Sequence, residues 1–220
     1  MNAFVVAGGQ STRMGRDKAL LLLDGVPLMA RALDLLRSLG LSARICGSRP
    51  DLVRFAEVVP DNFPHCGPLA GIEAALAVSS TELNLFLPVD LPLLPSAFLR
   101  WLAARAEVSQ AVATIPVVAD RPQPLCAVYS RRLLEGIRRC LAAGDRKVMS
   151  GIRAAADSLS EPIDRFDVET VASTLGAEWP ASPVKDWFRN VNTPADYEDL
   201  GLAAQRSLVA TGAKAAHPIS

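Results

Sequence analysis

The chain has no surplus of charge, no long apolar run and no ligand-spaced cysteines, and each absence removes a class of function. Lysine plus arginine and aspartate plus glutamate number 23 each, so no overall positive field draws the protein to nucleic acid or to a membrane. Neither is expected as a partner. No apolar stretch approaches the length of a bilayer span. The cysteines (Cys46, Cys66, Cys126, Cys140) make no C-x-x-C pair and no ligand-spaced cluster with the two histidines. Reduced thiols and a cytoplasmic location are the expectation. Residues 3–6 already read as a strand, which leaves no room for a signal peptide. No internal repeat is visible.

What is present is a large apolar fraction, 50% of 220 residues, enough for one domain with a generous core. Its organising stretch is 3–22, AFVVAGGQSTRMGRDKALLL. A valine-rich run ends at Val6 and enters Ala7-Gly8-Gly9, where a backbone without Cβ atoms can turn tightly against a ligand. Arg13 and Lys18 follow on either side of Gly15. A turn exposing several N–H groups beside two cations suits a polyphosphate. Two familiar phosphate loops are excluded. Gly15 is followed by Arg16-Asp17 rather than Lys-Ser/Thr, and Gly8-Gly9 with Gly15 does not make G-x-G-x-x-G.

Along the chain, helical spacing predicts a helix over 27–39 that Gly40 can cap. A strand at 43–47, a short helix at 51–56 and a weak strand at 57–60 follow. Gly67-Pro68 opens a helix over 69–79, with proline at its first position. Residues 83–89 read as a central buried strand delivering Asp90, and a helix follows over 95–105. The alternation predicts a three-layer α/β/α, Rossmann-like, mostly parallel twisted sheet. Beyond residue 110, β-rich runs at 111–118 and 123–129 around Asp120-Arg121-Pro122 predict an antiparallel addition. Ser130 is a candidate cap for a helix to 142. A helix including 148–155, strands at 162–168 and 187–191, and a capped helix start at 193–196 complete the reading. Residues 1–200 are expected to form one domain in two halves, 1–109 and 110–200. A flexible tail over 201–220 is expected to follow.

Asp90, a carboxylate ending a buried strand, needs a cation or hydrogen-bond donors to offset its desolvation. Mg²⁺ takes one or two carboxylates plus phosphate oxygens and waters, so Asp90 is the candidate metal ligand and the expected cofactor is Mg²⁺. Asp61, after the weak strand, is the second carboxylate. Gly67 offers bare backbone at a helix N-terminus.

Residues 7–18 match the nucleotidyltransferase signature A-G-G-x-S-x-R-M-G-x-D-K. Within that superfamily the chain resembles the MobA-like molybdenum cofactor guanylyltransferases, which join GMP to molybdopterin on a fold of the nucleotide-diphospho-sugar transferase type. The G-P-L-A-G of 67–71 and the order Asp61, Gly67, Asp90 support the likeness. It implies a nucleotide site of Val6, Ala7, Gly8, Gly9, Lys18, Cys46, Asp61, Gly67 and Asp90. Cys46, with Ser48 nearby, stands where the family usually carries asparagine. Gly144 to Met149 and F-R-N-V-N-T-P at 188–194 resemble acceptor-side segments, implying Arg146, Lys147, Asn190 and Asn192 there. The reaction implied is in-line attack of the molybdopterin phosphate on GTP, with Arg13, Lys18 and Asp90 as catalytic residues. Molybdoenzyme chaperones or the molybdenum-insertion protein are further partners the resemblance implies. Alternatives are the same chemistry with CTP or a sugar phosphate, a non-catalytic nucleotide-binding adaptor, and a hydrolase.

Overall fold

A computed structural model describes residues 1–7, 17–175, 179–180 and 182–190. In chain order these form β1 (Asn2–Val6), a 3-10 turn (Lys18–Leu20), β2 (Leu22–Leu23), β3 (Val26–Pro27) and α1 (Leu28–Arg37). Next come β4 (Ala43–Cys46), a 3-10 turn (Pro50–Leu52), β5 (Val58–Val59), α2 (Pro68–Val78), β6 (Leu83–Pro88) and α3 (Ser96–Ser109). The second half contains β7 (Ala113–Val118), β8 (Arg121–Pro122), β9 (Ala127–Ser130), α4 (Leu134–Ala142), α5 (Val148–Leu159), β10 (Ile163–Asp167), α6 (Val168–Leu175) and α7 (Val184–Trp187).

Among the described residues the main sheet is eight-stranded, in the order β10-β7-β9-β6-β1-β4-β5, with β8 paired to β7. β1 is parallel to both β4 and β6, β4 to β5, and β7 to β10. β9 runs antiparallel between β6 and β7. The antiparallel addition therefore joins the two halves of the chain into one sheet.

Strand alternation explains the layers. Ala3 and Val5 of β1, with Leu85 and Leu87 of β6, face a core built with α1, α3 and α7. Phe4, Val6 and Phe86 face the opposite core, which α2, α4 and α5 cover. Both faces are buried, so the central strands read as unbroken apolar runs instead of alternating ones. Phe86 stacks on Phe4 at 5.5 Å between ring centroids. On the other face Phe98 anchors an aromatic cluster with Trp179, Trp187 and Phe188.

Local signals set several boundaries. Gly67 has φ +71°, a conformation that favours glycine, and Pro68 then takes the first helical position. Ser130 accepts a bond from the N–H of Arg132 at the start of a 3-10 turn (Arg131–Leu133) that leads into α4. Asp24 and Gly25, both at positive φ, close a hairpin between β2 and β3.

Other expectations are corrected. Residues 187–191 were expected as a strand, but Trp187 ends α7 and residues 188–190 form none. One helical turn carries Val184 and Trp187 into the aromatic cluster while the Trp187 indole donates to Ser182 Oγ at 2.8 Å. The helix expected over 51–56 shrinks to the 3-10 turn at Pro50–Leu52. Arg121 and Pro122, expected in a turn, are strand residues, because Ala119 and Asp120 at positive φ make the turn. The α6 helix was not foreseen. The helix start expected at 193–196 and the tail at 201–220 lie outside the described residues.

Candidate active site

The strand order reverses between β1 and β6. From β1 the chain passes to β4 and β5, then returns to place β6 on the other side of β1. The carboxyl ends at such a switch point border a crevice that ligands use in open α/β sheets. Here the parallel ladder runs to its rim. The N–H of Ala7 donates to Cys46 O at 3.1 Å, and that of Val89 to Val6 O at 3.3 Å. Val6 and Ala7 thus stand at the centre of the mouth, with Asp90 two residues beyond the end of β6.

Lys18 enters the mouth from the other end of the signature loop. Asp17 caps the 3-10 turn Lys18–Leu20 by accepting from the N–H of Ala19 at 3.0 Å. The turn carries Lys18 Nζ to 3.2 Å from Asp90 Oδ2, both side chains being 23% exposed. Seventy-two residues separate the two, and only the sheet topology brings them together. Gly8, Gly9 and Arg13 lie outside the described residues.

Asp61 follows β5 at the same rim. Its N–H donates to Ser48 Oγ at 3.3 Å, but its buried Oδ1 has no hydrogen-bond partner among the described residues. A Cβ on Gly71 would stand 3.6 Å from that Oδ1 and 3.7 Å from Cys46 Sγ. That oxygen and the Cys46 thiol therefore both lie against the bare backbone of Gly71 in α2. Burial pushes the Asp61 carboxyl above its usual range, with Ser48 opposing and the nearby Glu73 adding to the rise. Cys46 itself is fully buried, its Sγ 3.6 Å from Val5 O, and burial raises its thiol pKa. The structure places that thiol inside the core; what Cys46 presents at the rim is its backbone.

Gly67 is exposed just before α2. In the preceding loop His65 O accepts from Arg146 Nη1 at 3.3 Å, which sets the exposed Arg146-Lys147 segment beside the nucleotide-side loop. Asp145 accepts from the N–H of Lys147 at 3.0 Å and from Ser150 Oγ at 2.5 Å, ordering the entry to α5. Asn190, exposed beyond α7, comes from the opposite helical layer, and Asn192 lies outside the described residues. Sequence reasoning missed Arg49 and Asp17, which are paired at this rim. An arginine held between Ser48 and Pro50 at a strand end was the available signal.

The donor set can be tested for a metal. Among the described residues no three His, Cys, Asp or Glu groups converge, so an all-protein cage is absent there. The partly exposed Asp90 carboxylate instead fits a hard cation that brings water and phosphate oxygens with it.

A lysine and a carboxylate meet at the switch point of a mixed α/β sheet, and the class of the protein is a nucleotidyltransferase of the nucleotide-diphospho-sugar transferase fold. The MobA-like NTP transferase domain family matches residues 3–161, and the chain belongs to it. It is 33% identical over 216 residues to a probable molybdenum cofactor guanylyltransferase of Deinococcus radiodurans, covering 94% of this chain and 97% of that one. It is 36% identical over 165 residues to the molybdenum cofactor guanylyltransferase of Burkholderia vietnamiensis, covering 67% and 79%. The crystal structure of molybdopterin-guanine dinucleotide biosynthesis protein A from Archaeoglobus fulgidus superposes with a TM-score of 0.74 at 23% identity, covering 94% and 100%. Among the described residues no helix is long and apolar enough to cross a membrane.

Proposed function

We propose that the protein transfers GMP from GTP to the terminal phosphate of molybdopterin, releasing pyrophosphate. The observation that carries this is Lys18 facing Asp90 at the switch-point mouth, in a chain whose relatives bear the guanylyltransferase name. The acceptor phosphate is already ionised at neutral pH, so the step needs no strong general base. It forms a bond from the acceptor oxygen to the α-phosphorus and breaks the bond to the pyrophosphate. Catalysis then rests on alignment and on charge stabilisation.

Asp90 is positioned to hold Mg²⁺, which when bound supplies charge neutralisation and alignment of the phosphates. Lys18, now on Asp90, is a cation within reach of the same phosphates and stabilises charge on the leaving group. Arg13 shares that role on the signature loop. Val6 to Gly9 give backbone to the nucleotide, Asp61 accepts a donor from it, and Arg146, Lys147, Asn190 and Asn192 form the acceptor side. The two sides correspond to residues 1–109 and 110–200, and the protein works in the cytoplasm.

The test is a matched assay of GTP, CTP and ATP against molybdopterin with Mg²⁺ present. Product with GTP alone supports the reading. Preference for CTP moves the protein to a sister activity, binding without turnover makes it an adaptor, and phosphate release without acceptor makes it a hydrolase.

A further inference from the structure

Arg49 stands just after β4, and its side chain is only 13% exposed. Its guanidinium is gripped by two carboxylates. Nη1 donates to Asp17 Oδ1 at 3.3 Å and Nη2 to Asp17 Oδ2. On the other side Nε donates to Asp51 Oδ1 at 2.9 Å and Nη2 to Asp51 Oδ2 at 2.7 Å. The backbone is fixed as well. Arg49 N–H donates to Gly47 O at 2.8 Å, and Arg49 O accepts from the N–H of Leu52 at 3.0 Å. A guanidinium engaged this way by two carboxylates is committed to them and not to a phosphate.

Asp17 passes the constraint on. The Oδ1 that meets Arg49 also accepts from the N–H of Ala19, so Asp17 both pairs with Arg49 and caps the turn that begins at Lys18. Lys18 then reaches Asp90. A continuous line runs from the end of β4 through Arg49, Asp17 and Lys18 to the end of β6, across the mouth over the end of β1. The ion pairs alone are not a reason to keep such a line, since partly exposed pairs contribute little stability.

We propose that Arg49 is a positioning residue: acting through Asp17, it sets where Lys18 places its ammonium between Asp90 and the triphosphate. This rests on reading Lys18 as the phosphate-side cation. Flexible lysine needs such a constraint, because its four-carbon stem leaves the ammonium free to wander.

Four variants test it with GTP as substrate: Arg49→Met, Asp51→Asn, Lys18→Ala and the double variant Arg49→Met/Lys18→Ala. Arg49→Met should lower kcat about tenfold, the order expected when a charge-stabilising group is misplaced. Asp51→Asn, which leaves the Asp17 link whole, should change kcat less than about twofold. The decisive arm is non-additivity: adding Arg49→Met to Lys18→Ala should cost almost nothing more. A second readout needs no turnover. Acylation of Lys18 by an amine-reactive ester, followed by mass spectrometry, should be several-fold faster in Arg49→Met than in the unaltered protein. If Arg49→Met folds poorly, Asp17→Asn weakens the same link from the other end by removing its charge while an amide oxygen still caps the turn, and the effects should run in the same direction.

Equal losses from Arg49→Met with and without Lys18, or unchanged Lys18 labelling, overturn the inference. Lys18→Ala with unaltered GTP kinetics overturns the reading of the site itself, and the inference with it.

Discussion

Replacing Asp61 by asparagine separates what this residue does for the fold from what it does for a ligand. Its buried Oδ1 has no hydrogen-bond partner among the described residues. An unpaired neutral acceptor in this place still costs its own desolvation, and a charged one costs more, by an amount on the order of 1–3 kcal/mol. The rest of the carboxylate is partly exposed and Ser48 is close, so the lower end applies, about 1 kcal/mol. Asparagine keeps the shape and removes the charge that burial penalises. In a chain of this length 1 kcal/mol shifts Tm by about 2–4 °C, and Asp61→Asn should raise Tm by that amount at neutral pH.

The sign of the pH dependence follows from the raised carboxyl. The folded state holds the Asp61 proton more tightly than the unfolded chain, whose carboxyl titrates near 3.8. Asp61 therefore costs stability above its folded pKa, and the cost fades as pH falls toward 3.8. The Tm gap between variant and unaltered protein should close over that acid window. GTP binding should move the other way, weakening roughly ten- to a hundredfold with the loss of a charge-assisted acceptor. Thermal unfolding from pH 4 to 8 and calorimetric titration of GTP read the two effects. A variant less stable at neutral pH, or one that binds GTP as before, would refute the reasoning.

Three further outcomes are expected. Arg138→Met strands Glu73, which is 1% exposed and held by Arg138 Nε at 2.8 Å and Asn62 Nδ2 at 3.0 Å; denaturant unfolding should show a loss of about 3 kcal/mol. Gly136→Ala puts a Cβ 2.5 Å from the Ala155 Cβ and 2.6 Å from its Cα, so α4 and α5 must separate at a cost of about 1–3 kcal/mol. Adding Ala155→Gly should recover part of it, and no recovery would place the strain elsewhere. Asp90→Asn should lower turnover by at least about a hundredfold while far-ultraviolet dichroism and Tm stay close to the unaltered protein; near-normal turnover at limiting Mg²⁺ removes Asp90 from the mechanism.

Much of the layout was legible because it is written in local pattern. Apolar runs buried on both faces read as parallel strands, Gly67-Pro68 reads as a helix start, and Ser130 as a cap, since each depends on neighbours within a few residues. Asp61 and Asp90 stood out for the same reason, as carboxylates at the ends of apolar runs. Where a local pattern admitted two periods, reading failed. Trp187 and Phe188 suit a strand by composition, yet the aromatic pocket around Phe98 accepts them from a helical turn.

What the sequence by itself determined is the alternation of strands and helices, the signature segment placed right after β1, and the carboxylates that follow β5 and β6. Only the tertiary structure decided which groups meet. It set antiparallel β9 between β6 and β7, buried the Cys46 thiol, and left Asp61 Oδ1 without a partner among the described residues. It also joined Arg49 to Asp17 and Lys18 to Asp90. The reason is physical. Periodicity and capping act over a few residues of one segment, whereas these contacts join positions 32 and 72 residues apart that become neighbours only when the strand order reverses around β1.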